Sequence, residues 1–157
     1  MGAMHKVWSV GFLAAMFFAS PGHTDDVAAT IEQRLLGWTE AFNEGRLEEV
    51  CDLFAPDLIA NYQGVPERSY RSQCDDLKAV FANEHLEFRY RLELEEIIVS
   101  GDLAVVRLIW HLTVTDRATG EIEVSADRGL DVFKLQPDGK WRIIRYIGYL
   151  IGQPLEG

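Results

Sequence analysis

Residues that build metal and nucleophile sites are scarce in this sequence. There are two cysteines and four histidines in 157 residues, and only His23, His85 and His111 lie beyond the N-terminal apolar stretch. Their spacing matches no zinc or iron ligand set, so no built-in metal is expected. Neither Cys51 nor Cys74 has a histidine nearby in sequence that would activate it as a nucleophile. Glycine-rich phosphate loops and G-x-S-x-G elbows are missing, and no cofactor is expected. Basic residues are the minority, 15 against 25 acidic ones, for a net charge of −10. That balance repels phosphate backbones and anionic membranes, so nucleic acid is not an expected partner. Internal repeats, low-complexity tracts and interdomain linkers are absent too, which leaves one domain. A hydrophobic content of 48% is enough to give it a core.

No apolar run is long enough to span a bilayer, for which about 20 residues are needed. The run Val7 to Phe18 has the composition of a secretory leader instead. Lys6 supplies its basic start, and Ser20-Pro21-Gly22 a small-x-small cleavage site. Residues 1–22 are therefore expected to be a signal peptide, and 23–157 a single exported domain, periplasmic or secreted. A retained N-terminal helix or anchor is the alternative. No cysteine follows the run to take a lipid, so no stable membrane anchor is expected. In an oxidising compartment Cys51 and Cys74 are a candidate disulfide, worth about 3 kcal/mol in the chain-entropy picture. Two buried thiols acting as small hydrophobes are the other possibility.

Val27, Ile31, Leu35, Trp38 and Phe42 recur at helical spacing, with Gly45 as a stop. Leu47, Val50, Cys51 and Phe54 mark a short second helix, with Glu48 and Glu49 in its first turn and Pro56 at its end. Leu58 to Tyr62 reads as a short strand. Ser72 with Asp75 predicts the cap of a third helix that carries Cys74, Leu77, Val80 and Phe81.

From Leu86 the period becomes two. Leu86, Phe88, Tyr90, Leu92 and Leu94 alternate with charged residues until Glu96 breaks the phase, which predicts a β-bulge near Glu95 and Glu96. Glu93, Glu95 and Glu96 read as a solvated strand edge, not a calcium site. The Gly101-Asp102 turn pairs Val99 with Ala104 and Ile97 with Val106, so Leu92 falls opposite Trp110. His111 and Arg107 then point outward. Across the Pro137-Asp138-Gly139 loop the pairing expected is Leu135 with Trp141, Phe133 with Ile143, Asp131 with Arg145, and Asp127 with Tyr149. The opposite face carries Leu130, Val132, Ile144, Tyr146 and Leu150. A sheet apolar on both sides needs a second cover, which predicts a homodimer through the outer face.

The segment Trp38 to Asp57 (WTEAFNEGRLEEVCDLFAPD) and the closing hairpin Asp131 to Ile144 (DVFKLQPDGKWRII) resemble the nuclear-transport-factor-2-like superfamily, in its SnoaL-like and ketosteroid-isomerase-like group. The resemblance spans Asp26 to Ile151. Arg46 departs from it, since many members carry an acidic residue after the glycine, and reads as surface variation. The resemblance implies an α+β fold in which three N-terminal helices pack on the concave face of a strongly bent antiparallel sheet, a cystatin-like cone with a ligand cavity inside. On that basis the candidates for chemistry are Asp131, Asp127 and Arg145. Trp38, Tyr62, Trp110, Phe133 and Tyr149 are the expected pocket. A carboxyl in such a cavity has its pKa raised and can move protons near neutrality, whereas a structural Asp131–Arg145 ion pair is the plainer reading. The function expected first is binding of a small hydrophobic molecule. A cofactor-independent acid/base enzyme (isomerase, cyclase, dehydratase or epoxide hydrolase) is the alternative, and a dimeric interaction module without a working pocket is the third.

Overall fold

The computed structural model describes residues 21–152. Most of the expected leader therefore lies outside the described residues. The chain runs α1 (Pro21–Asn43), α2 (Leu47–Cys51), β1 (Phe54–Tyr62), β2 (Arg68–Ser69), α3 (Tyr70–Phe81), β3 (Leu86–Ser100), β4 (Leu103–Asp116), β5 (Ile122–Leu135) and β6 (Trp141–Leu150). The strands form one curved, open sheet in the order β2-β1-β6-β5-β4-β3. Its neighbours are antiparallel except β1 and β6, which run parallel.

The apolar stripe of α1 buries Ile31, Leu35, Trp38 and Phe42 against the concave face, where Val106, Leu108 and Phe133 are fully buried. Burial of side chains this size contributes about 1.5–3 kcal/mol each. The disulfide Cys51–Cys74, with Cα atoms 5.9 Å apart, ties α3 to the end of α2. Two boundaries differ from expectation. Strand β1 begins at Phe54 and includes Pro56, at a shift in its register with β6 between Phe54 and Ile59, an irregularity of the kind that accommodates a residue with no N–H. Helix α3 starts one turn early: Ser69 is its N-cap and Ser72, at N3, returns the capping bond to the Ser69 N–H at 2.9 Å.

Three hairpins follow the expected registers in part. Val99 pairs with Ala104, Ile97 with Val106 and Leu92 with Trp110, and Glu95 is the extra residue of a bulge between Leu94 and Glu96. Trp110 pairs with Asp127. Leu135 pairs with Trp141 and Phe133 with Ile143, but the register then slips, and Arg145 pairs with Val132. Ile144 is the extra residue. Beyond it Asp131 faces Tyr146, Arg128 faces Tyr149 and Asp127 faces Leu150, so the expected Asp131–Arg145 and Asp127–Tyr149 pairs do not form. One inserted residue inverts the facing of everything after it. Tyr146 therefore turns inward, and Arg145, Ile147 and Tyr149 turn outward.

Candidate functional site

A cavity of about 340 Å³ opens between α1, α3 and the concave sheet face. One wall is aromatic: Trp38 lies 4.8 Å from Trp110 and 5.6 Å from Tyr90, ring centre to ring centre. The floor is built by two glycines. Gly129 and Gly148 are cross-strand partners. A Cβ on Gly129 would stand 3.0 Å from Leu108 Cδ1, and one on Gly148 would stand 3.1 Å from the Tyr62 ring. Side chains at this point would fill the space. Asp127 and Asp131 flank Gly129 on the same strand face, four residues and therefore about 13 Å of strand apart.

The two carboxyls sit in different surroundings. Asp131 is 4% exposed, and burial pushes its pKa up to about 7. Desolvation is the sole cause of the shift, with no hydrogen bond from the described residues contributing to it. Asp127 is also raised by burial, but it accepts a hydrogen bond from the Tyr62 hydroxyl, which opposes the shift. Burial, and then Asp127 itself, holds Tyr62 protonated far above neutrality. Tyr90 is pushed by burial up to about 12. Tyr146 is raised by burial too, against the counteracting Arg68 guanidinium, and its hydroxyl donates to Gln73 Oε1 at 3.0 Å. The cavity thus holds phenols that remain donors and carboxyls that take up protons readily.

Of the residues expected here from sequence, Asp131, Asp127, Trp38, Tyr62 and Trp110 line the cavity. Phe133 is fully buried in the core beyond the lining. Arg145 and Tyr149 are corrections. The Ile144 bulge turns Arg145 outward, where it donates to Asp57 O at 2.9 Å, and leaves Tyr149 44% exposed beside Arg128. His111 sits on the convex face with Nε2 2.8 Å from Glu93 Oε2. Sequence reasoning missed Tyr146, Arg68, Gln73 and Tyr90 as lining residues. Tyr90 was legible as an inner-face position, Tyr146 was misplaced by the bulge, and Arg68 and Gln73 arrive only through the docking of β2 and α3.

A second, larger groove runs outside the cone between α1 and α2. It is open, and its charges compensate one another. Asp52 is opposed by burial, yet hydrogen bonds from Arg142 (2.8 Å), Lys140 (3.0 Å) and Arg34 (3.2 Å) hold its pKa down at about 2. That node clamps α1 to the β5–β6 hairpin and is structural. Among the described residues no three His, Cys, Asp or Glu side chains converge as a metal site, and no helix is long and apolar enough to cross a membrane.

The model of the SnoaL-like domain matches residues 35–144. The chain belongs to that family. The SnoaL-like assignment agrees with the solved structures it resembles. A ketosteroid isomerase-like protein from Erwinia carotovora is 26% identical, with 80% of this chain and 96% of that one aligned at a TM-score of 0.67. A conserved protein from Planctomyces limnophilus is 17% identical and reaches a TM-score of 0.75 over 81% and 98% of the two chains. An NTF2-like protein with a cystatin-like fold from Novosphingobium aromaticivorans is 17% identical, with a TM-score of 0.67 over 83% and 85%. The two at 17% identity speak to the SnoaL-like chain's fold alone. Among curated proteins, none matches this sequence.

Proposed function

We propose that this SnoaL-like protein is an acid/base enzyme, in which Asp131 transfers a proton on a compact, largely apolar substrate that carries a carbonyl group. The observation that carries this reading is Asp131 itself, a buried carboxyl with no donor, facing a cavity, with a pKa of about 7. An apolar residue of similar size would be more stable there, since an unpaired carboxyl loses its solvation for nothing in return. A group that is half ionised near neutrality can both take and return a proton. In the step envisaged, Asp131 removes a proton from the carbon beside the carbonyl. The electron pair moves to the carbonyl oxygen, which accepts a hydrogen bond from the Tyr90 phenol in the cavity wall. The proton is then returned at the same or a neighbouring carbon. The abstraction is shared by isomerases, cyclases and dehydratases, and the return of the proton to carbon belongs to isomerases.

The rival is a carrier that binds without reacting, and the Tyr62–Asp127 bond favours it, because it commits one carboxyl to an orienting role. Incubation of the protein in D2O with a panel of cyclic ketones and enones, followed by proton NMR, separates the two. Catalysed exchange beside the carbonyl is expected in the wild type, reduced about 100-fold or more in Asp131→Asn. Binding of panel members without exchange would leave the carrier reading standing.

The same proposal places the protein outside the cytoplasm, in the periplasm or secreted. The leader composition of residues 1–22 and the Cys51–Cys74 disulfide support export. Fractionation of cells expressing a C-terminally tagged full-length chain tests it, since an uncleaved cytoplasmic product would refute it. A homodimer through the convex face is supported by the exposed apolar side chains Ile98, Leu130, Ile147 and Tyr149. Light scattering on the wild type and Ile147→Glu is expected to show a dimer and a monomer, and a monomeric wild type would rule the interface out.

A further inference from the structure

Four residues with formal charges line the cavity: Arg68, Asp127, Arg128 and Asp131. Arg128 directs its guanidinium to the convex side, with Nη2 3.0 Å from Glu95 and a bond to Tyr149, and its Nε is buried without a partner among the described residues. Asp127 is engaged by Tyr62. Asp131 is desolvated, which favours its neutral form. Arg68 is different. Its Nε donates to Asp76 Oδ2 at 2.8 Å, and Asp76 is its only acidic partner among the described residues. Asp76 is half exposed, so water screens that pair. The guanidinium also reaches the Tyr146 hydroxyl inside the cavity. A planar fork of five donors with one exposed carboxylate on its Nε retains donors for a second oxyanion.

The position of this fork is set by the fold. Arg68 is paired to Ala60 on β1 and directly precedes Ser69, the N-cap of α3. Gln73, one turn into α3, is held to Tyr146. Arg68, Gln73 and Tyr146 therefore form one polar end of a cavity whose wall is the aromatic group of Trp38, Tyr90 and Trp110.

We propose that the substrate or ligand is an organic monocarboxylate, its carboxylate held by the Arg68 guanidinium with Tyr146 beside it, and its apolar body against the aromatic wall. The inference rests on the reading of this cavity as the substrate site and names the class of molecule that enters it. A carboxylate takes the donors of the fork that the solvent-screened Asp76 leaves open on the cavity side, whereas an amine would meet the guanidinium as a like charge.

Calorimetric titration of the full domain at pH 6, where Asp131 is mostly neutral, with 2-naphthoate and its uncharged analogue 2-naphthamide, tests this directly. The acid is expected to bind on the order of tenfold more tightly than the amide, as a charge-assisted pair predicts. Arg68→Met should remove that preference while leaving the amide affinity nearly unchanged, and Arg68→Lys should retain part of it. Asp76→Asn, which frees the fork, should tighten naphthoate several-fold, a gain that a merely structural Arg68 would not produce. Equal affinities for acid and amide in the wild type, equal weakening of both in Arg68→Met, or no binding of naphthoate at millimolar concentration would overturn the inference. Should Arg68→Met fail to fold, the wild-type comparison and Asp76→Asn still decide. Carboxylate preference without proton exchange on any carbonyl compound would count against the acid/base reading alone. Exchange without carboxylate preference would count against this inference alone.

Discussion

Replacing Asp131 by asparagine should make the protein more stable above neutral pH and less active at the same time. The sign follows from linkage. In the folded state burial raises the carboxyl from its ordinary 3.8 to about 7, so between those values the native state holds more protons than the unfolded chain. Stability then falls as pH rises through that window. Below about pH 4 the group is protonated in both states and contributes nothing. Above pH 7 the full penalty applies. A shift of about three units corresponds to at most about 4 kcal/mol, which relaxation and water entry into the cavity reduce to about 2–3 kcal/mol. The asparagine side chain does not titrate. Urea unfolding of both proteins at half-unit steps from pH 4.5 to 8.5 should therefore give curves that diverge with pH, the variant gaining about 2–3 kcal/mol by pH 8.5, or roughly 5–10 °C in Tm. The asparagine's own hydrogen-bonding cost shifts its curve uniformly and leaves the divergence intact. Parallel curves across this range would show that Asp131 is solvated or paired in solution, and the argument for its role would fall with them.

Three further outcomes follow from other parts of the molecule. Gly129→Ala places a methyl 3.0 Å from Leu108 Cδ1 and should cost about 1–3 kcal/mol by overpacking while narrowing the cavity floor. Denaturant melts read the first effect and naphthoate titration the second, and a variant as stable and as receptive as wild type would contradict the floor geometry. Asp52→Ala removes a carboxylate whose pKa is held at about 2, so its stabilisation is present above about pH 4 and lost as pH falls through 2. Since the group is about one-third exposed, screening limits the loss at neutral pH to about 1 kcal/mol. Thermal melts at pH 7 and pH 2 should show a gap only at the higher pH. Reduction of Cys51–Cys74, which closes a loop of 23 residues, should cost about 3 kcal/mol, and an unchanged melt with and without a phosphine reductant would mean that the bond does not constrain the unfolded chain.

Much of the frame was legible because two periodicities carry it. The 3.6-residue stripe Ile31, Leu35, Trp38, Phe42 specifies which face of α1 is buried, and the alternation from Leu86 to Leu94 specifies the inner face of β3. The break at Glu96 reveals its bulge because a charge there falls on apolar parity, which is why the β3–β4 register, with Leu92 opposite Trp110, was accessible. The Pro56 strand was less so, since a proline locally argues against β pairing and only the register slip against β6 accommodates it.

What the sequence determined by itself, then, is the family, the helix faces, and the inward placement of Asp127 and Asp131 on β5. What only the tertiary structure decided is who surrounds them. Ile143 and Ile144 are both apolar, so the bulge at Ile144 leaves no mark on the hydrophobic pattern, yet it moves Arg145 and Tyr149 outside and brings Tyr146 in. Arg68 and Gln73 reach the cavity through the docking of β2 and α3, at separations no local pattern encodes. Asp131 is left without a cation for that reason, and its unpaired burial is a property of the assembled cone.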